Sequence, residues 1–199
     1  MLTNQKGAAP MDTHVAKMVT QILDRIHRLD APMIIAIDGR CGSGKTTLAR
    51  ALQQELHCSI IPMDDFFLRP SQRTQARLAT PGENIDWERF SQEVLLPLSM
   101  GEAVSYRPFR CDTQTLGLPR HLNAGAITVV EGSYSCHSQL RNAYTLKIFL
   151  TTDPKTQLER IRSRNGEAML QRFQSTWIPM EEAYFNTLPQ DLFDFVFTT

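Results

Sequence analysis

The chain has 199 residues, 42% of them apolar and 21% charged, and its 21 basic and 21 acidic side chains cancel to a net charge of zero. That length holds one α/β domain with a substantial core and is too short for two ordinary ones. The charge balance argues against a general attraction to nucleic acid or a membrane, and no apolar run reaches the ~18 residues a bilayer demands, so the expected partner is a small molecule.

Residues 1–10 are polar, lack the apolar stretch of a secretory signal, and read as a disordered leader. Val15, Met18, Val19, Ile22, Leu23, Ile26 and Leu29 recur at helical spacing and predict an amphipathic helix over 12–29. After Pro32, residues 33–37 form a short apolar, β-branched run ending in Asp-Gly, the pattern of a buried parallel strand. A helix is predicted over 45–56, then strands over 60–63, 127–130, 146–150 and 193–197, with helical stretches over 87–96, 154–164 and 167–177 between them. This alternation predicts a doubly wound α/β fold of about five parallel strands with helices on both faces. Two long stretches, 69–84 and 101–125, show no period and read as functional insertions, lids or binding walls. Cys41, Cys58, Cys111 and Cys136 are scattered without C-x-x-C spacing, which points to reduced thiols in a cytoplasm.

Gly39, Arg40, Cys41, Gly42, Ser43, Gly44, Lys45 and Thr46 match G-x-x-x-x-G-K-[ST] in full, between a predicted strand and a predicted helix. Glycines there let the backbone wrap phosphates, while loop N–H groups and the helix N-terminus point at the anion. In that role Lys45 reaches the β- and γ-phosphates of ATP, the Thr46 hydroxyl ligates Mg²⁺, and Thr47 joins the nucleotide-binding set. The loop alone leaves open whether the nucleotide drives motion, switches a regulator or donates a phosphoryl group.

The second strand delivers Asp64 and Asp65 to the sheet edge where ligands bind in open α/β folds. A carboxylate there can take the proton of an attacking hydroxyl or order magnesium, and neighbouring residues at a strand end point opposite ways, so one of the two is expected to act. Glu131 ends the third strand, where a carboxylate orders magnesium through water. Arg160 and Arg164 lie four apart on one predicted helix face, with Arg162 between them, placed to meet charge accumulating on a transferring phosphoryl group.

The segments GRCGSGKT, PMDDFFLRP, NIDWERF, SYRPF, VVEGSYS and RIRSRNG together resemble the uridine kinase family of P-loop nucleoside kinases, with nicotinamide riboside kinase, phosphoribulokinase and pantothenate kinase as near relatives, over about 34–185. The resemblance implies a P-loop NTPase fold with a small lid carrying Arg160 and Arg164, and ATP- and Mg²⁺-dependent phosphorylation of a nucleoside-like hydroxyl. It makes Asp64 the base and a magnesium ligand, and gives Asp86 the ribose hydroxyls, although Asp86 equally suits an N-cap for the helix at Trp87. Tyr106 matches a tyrosine lining the nucleoside pocket, with strand-edge packing as its other reading, and Arg107 is placed to pair with a substrate carboxylate or phosphate. Where the family carries Tyr-Asp-Phe and a nearby His that reads the pyrimidine, this chain has Arg107-Pro108-Phe109 and Cys111-Asp112-Thr113, so base specificity does not carry over. The acceptor could instead be nicotinamide riboside, pantothenate or a phosphosugar. A regulator that only hydrolyses its nucleotide is opposed by the lack of an N-K-x-D or T-K-x-D segment and of a glutamine after the third strand. The sequence leaves ATP over GTP preference and self-association open.

Overall fold

The computed structural model describes residues 12–123 and 125–199; the expected leader at 1–10 lies outside them. Asp12 caps helix α1 (Thr13–Ile26) by accepting the His14 and Val15 N–H groups, and Met18, Val19, Ile22 and Ile26 form its buried stripe. Strand β1 (Met33–Gly39) leads through the glycine loop into α2 (Lys45–Leu56), and β2 (Ser59–Pro62) runs into a 3₁₀ turn, Met63–Phe66. Short helix α3 (Gln75–Ala79) precedes α4 (Trp87–Phe90) and α5 (Leu96–Ser99), which the π turn Ser91–Leu95 joins. Strands β3 (Val104–Tyr106), β4 (Phe109–Arg110), β5 (Thr115–Leu116) and β6 (Arg120–Leu122) follow, then β7 (Ile127–Glu131) and β8 (Leu146–Thr151). Helix α6 (Pro154–Asn165) turns at Gly166 into α7 (Glu167–Arg172), which continues through the π turn Phe173–Trp177 into α8 (Ile178–Phe185), and β9 (Phe195–Thr198) ends the fold.

Five parallel strands make the central sheet in the order β2-β7-β1-β8-β9. Alternation along β1 sends Ile35 and Ile37 into a core with α1, α2 and β8, and Ala36 into a second core on the opposite face with Phe66, Phe90, Tyr134 and Tyr184. This is the doubly wound P-loop NTPase architecture, and it puts the loop after central β1 between the C-terminal ends of β7 and β8. No helix among the described residues is long and apolar enough to cross a membrane.

Two segments differ from the sequence expectation. The insertion at 101–125 is not irregular: β3 pairs with β6 and β4 with β5 in two small antiparallel sheets. Strands of two or three residues are too short to show a period. The helix expected over 167–177 runs on to 185, because Pro179 does not break it. Proline lacks an N–H and crowds the preceding turn, and here a π turn widens the helix just before it, as another does ahead of Pro97.

Candidate active site

Gly39 ends β1 at φ 135°, and a Cβ at this position would lie 1.9 Å from the Leu150 carbonyl oxygen on β8, so only glycine lets the two strands meet where the loop begins. Gly44 enters α2 at φ 89°, with open space around it. Cys41, Gly42, Ser43, Gly44, Lys45, Thr46 and Thr47 line one cavity of about 1260 Å³, large enough for two substrates side by side. The first N–H groups of α2 have no intrahelical acceptor, which makes this end of the loop an anion cradle. Lys45 is buried, and its Nζ donates to Gly39 O (2.6 Å), Arg40 O (2.9 Å) and Ser133 Oγ (3.3 Å).

Arg40 departs from its expected place at the nucleotide. Its guanidinium makes a two-pronged pair with Glu182 (2.5 and 2.7 Å) and bonds Thr151 Oγ1 (2.6 Å), pulling it out of the cavity lining. Burial, followed by the charge of Glu181, pushes the Cys41 thiol up to about 12, so this loop cysteine is an inert packing residue.

The acidic pair falls on the 3₁₀ turn Met63–Phe66 rather than on β2 itself. Asp64 is exposed and opens on the cavity; desolvation within the cleft raises its pKa, Glu181 and Asp65 add to the rise, and Lys45 and Arg164 oppose it. Asp65 points the other way. Its Oδ2 accepts from Tyr106 Oη (2.8 Å) and Arg120 Nη1 (2.5 Å), and its carbonyl accepts from Arg89 (2.7 Å).

Glu131 is held between β1 and β2 by its register with Ile37 and Pro62, and accepts the Thr46 hydroxyl at 3.1 Å. Burial lifts its carboxyl above the usual range; the charge of Asp64 adds to this, while Lys45 and the Thr46 bond oppose it. Glu131, raised by the Asp64 charge and bonded to the Thr46 hydroxyl, and Asp64 are hard oxygen donors on one cavity, which fits Mg²⁺. Among the described residues no group of three or more His, Cys, Asp or Glu forms a ready-made metal centre, so such an ion would complete its shell with phosphate and water.

Arg160 and Arg164 line the same cavity, whereas Arg162 turns away to Glu167 (2.8 Å). Arg160 Nη1 donates to Gly42 O (3.1 Å) and Thr199 Oγ1 (2.8 Å), which ties α6 to the loop. The three residues expected to read the acceptor are not brought to this cavity. Asp86 is buried as the N-cap of α4, accepting Arg89 N (3.2 Å) and Gln72 Nε2 (2.8 Å). Tyr106 packs on Phe66 and spends its hydroxyl on Asp65, and Arg107 donates to the carbonyls of Gly117 (2.8 Å) and Leu116 (3.1 Å). Phe67, Arg73, Asn84, Gln114, Phe173 and Trp177 form the walls in their place.

Sequence reasoning missed Asp38, Ser133 and Glu181. Asp38 is fully buried at the end of β1 and accepts four bonds, from Gly39 N (2.7 Å), Tyr134 N (3.1 Å), Cys136 N (2.8 Å) and Tyr184 Oη (2.8 Å). Burial outweighs those bonds and lifts its carboxyl to about 6. Glu181 is buried too, bonded to Cys41 N (2.9 Å) and Ser133 Oγ (2.7 Å). The available signal was an acid among apolar neighbours: Asp38 closing an apolar strand, Glu181 inside IPMEEAYF.

No protein-family model matches the chain. It is 28% identical over 159 residues to uridine kinase-like protein 4 of Arabidopsis thaliana, an alignment covering 75% of this chain and 33% of that protein. The chain spans about a third of the length of the curated relatives it matches. Among solved structures it resembles a candidate uridine kinase from Bacillus stearothermophilus, with TM-score 0.69, 20% identity and coverage of 92% of this chain and 98% of the other. It also resembles a candidate fructose transport system kinase from Silicibacter sp. TM1040, with TM-score 0.72, 23% identity and coverage of 94% and 100%. At such identities the structural likeness is one of fold.

Proposed function

We propose that this chain, which is similar to uridine kinase-like proteins, transfers the γ-phosphoryl group of ATP to a hydroxyl of a small, nucleoside-like molecule. The observation that carries the proposal is the convergence on one cavity of the loop with Lys45 and Thr46, the Glu131 carboxylate from β7 and the Asp64 carboxylate after β2. The loop binds the triphosphate, and Lys45 exchanges one of its present acceptors for a phosphoryl oxygen. Asp64 takes the proton of the acceptor hydroxyl as it attacks, and Arg160 and Arg164 meet the charge that builds on the equatorial oxygens. Mg²⁺, held by Thr46, Glu131 and Asp64, supplies neutralisation of phosphoryl charge when bound. Alignment and electrostatics then carry most of the rate. The free thiols of all four cysteines fit a reducing compartment such as the cytoplasm.

A second reading keeps the chemistry and changes the acceptor. With Asp86, Tyr106 and Arg107 engaged in holding the scaffold, another small alcohol, nicotinamide riboside, pantothenate or a phosphosugar, is the alternative acceptor, and the Arg73 guanidinium in the walls suits the carboxylate or phosphate of the last two. The test is ATP consumption with magnesium against uridine, cytidine, nicotinamide riboside, other nucleosides, pantothenate, simple sugars and phosphosugars, with Asp64→Asn as control. Acceptor-dependent turnover lost in Asp64→Asn supports the kinase and identifies its substrate. Turnover that no acceptor raises above the ATP-only rate would sink the kinase reading.

A further inference from the structure

Glu181 is a buried carboxylate inside the cavity that the chemistry above does not use. Both of its oxygens are committed: Oε2 accepts the N–H of Cys41 in the phosphate loop (2.9 Å), and Oε1 accepts the hydroxyl of Ser133 (2.7 Å). Ser133 Oγ also lies 3.0 Å from Gly39 O, but a hydroxyl has one proton, and the shorter, charge-assisted bond to the carboxylate claims it. Its lone pairs are then free for the Lys45 ammonium at 3.3 Å. A directed chain therefore runs from Lys45 through Ser133 to Glu181. On the next residue of the same helix, Glu182 grips Arg40 with both oxygens, so adjacent acids of α8 hold adjacent residues of the loop.

A neutral amide has one oxygen and one N–H₂, so it could accept one of these bonds and would turn a donor toward the other. A carboxylate accepts both bonds but is costly to desolvate at such a place, and it sets a negative charge where a triphosphate must come. That cost is offset only if the charge does something, and what it faces is the loop amide and the lysine relay. The helix bearing it is the far end of the continuous rod formed by α7, its π turn and α8, whose other end presents Met169, Arg172, Phe173 and Trp177 to the cavity.

We propose that Glu181 is the positioning residue that couples the phosphate loop and Lys45 to the rod over 167–185, so that nucleotide arriving at the loop is felt by the wall that closes on the acceptor. This rests on the kinase reading above. Glu181 acts through Ser133, Lys45 and the Cys41 amide. Removing its charge takes repulsion away from the triphosphate while it loosens the coupling, so binding and turnover move in opposite directions.

The experiment compares wild type, Glu181→Gln and Ser133→Ala by calorimetric Kd for MgATP, hydrogen exchange with and without MgATP, kcat with the acceptor the panel identifies, and Tm. In wild type, MgATP should slow exchange in both the loop at 39–47 and the rod at 167–185. In Glu181→Gln the loop should still be protected, rod protection should fall several-fold, Kd should hold or tighten, and kcat should drop ten-fold or more. Equal rod protection in variant and wild type overturns the proposal, as does a parallel weakening of Kd and kcat that simply follows Tm. Should Glu181→Gln fail to fold, Ser133→Ala, which cuts the relay between Lys45 and Glu181, stands in for it, and unchanged rod protection there overturns the proposal equally. If wild type binds no MgATP, the kinase reading itself has failed and this inference falls with it, whereas binding without rod protection defeats the coupling alone.

Discussion

Asp38 is a fully buried carboxylate and Asp64 an exposed one in the cleft, and they differ as well in how many donors each already holds. Four donors on Asp38 use up its acceptor sites and make it a structural knot joining β1, the loop after β7 and α8. Asparagine there would turn an N–H₂ toward groups that are themselves donors, so Asp38→Asn should cost about 3 kcal/mol and lower Tm by on the order of 10 °C. A Tm within about 2 °C of wild type would show that the knot is slack. Asp64 has its carboxyl raised by desolvation in the cleft, so its ionisation works against the folded state above that pKa and ceases to do so as pH falls through it. Asp64→Asn should accordingly abolish turnover yet raise Tm at pH 8, and the gain should shrink on acidification, as scanning calorimetry across pH would reveal. A variant that melts lower at every pH would contradict this sign. The thiols separate in the same way: Cys41, Cys58 and Cys136 are buried and Cys111 is exposed, so a thiol reagent should label one cysteine quickly in the native protein and all four only after unfolding.

Among the elements, those with a clear period were legible and those held by long-range pairing were not. α2 occupies the span its sequence suggests, and β1, β7 and β8 lie within two residues of theirs, because short apolar runs, closed by Asp-Gly at β1 and Glu-Gly at β7, leave few alternatives. The strands of 101–125 exist because Asp65 anchors Tyr106 and Arg120 across 41 and 55 residues of chain, a relation no local window contains. The same holds for the acceptor walls, where Asp86 was read both as a cap and as a ligand and the structure uses it as a cap. Glu181 escaped notice because its partners lie 140 and 48 residues away. A small third core of Cys41, Ile161 and Leu170 packs α6 and α7 against the loop. Leu170→Ala should cost that core about 3 kcal/mol and let trypsin cut near Arg164 and Arg172 well before global melting. Cleavage that waits for global unfolding would mean that this corner opens only with the rest.

The whole molecule is one sheet with an apolar core on each face, and the cavity spans the sheet's C-terminal edge, so a ligand there touches elements from both cores. Nucleotide should therefore stabilise the whole fold: at a hundred times its Kd, MgATP adds about 2.7 kcal/mol. For a chain of this size that raises Tm by roughly 5–10 °C, and Lys45→Ala should lose the shift, which differential scanning fluorimetry would read directly. An equal shift in the variant would place the nucleotide elsewhere. The close approach of β1 to β8 at Gly39 also governs how freely the gene can drift. At Gly44 the chain itself imposes an angle alone, although the open space there is the cavity proposed for the triphosphate, so a saturation library selected for folding should return asparagine beside glycine, since asparagine tolerates a positive φ. At Gly39 the angle and a carbonyl oxygen 1.9 Å from any added carbon act together, so the same library should return one survivor, and loss of the residue should read as a null allele rather than a weakened one.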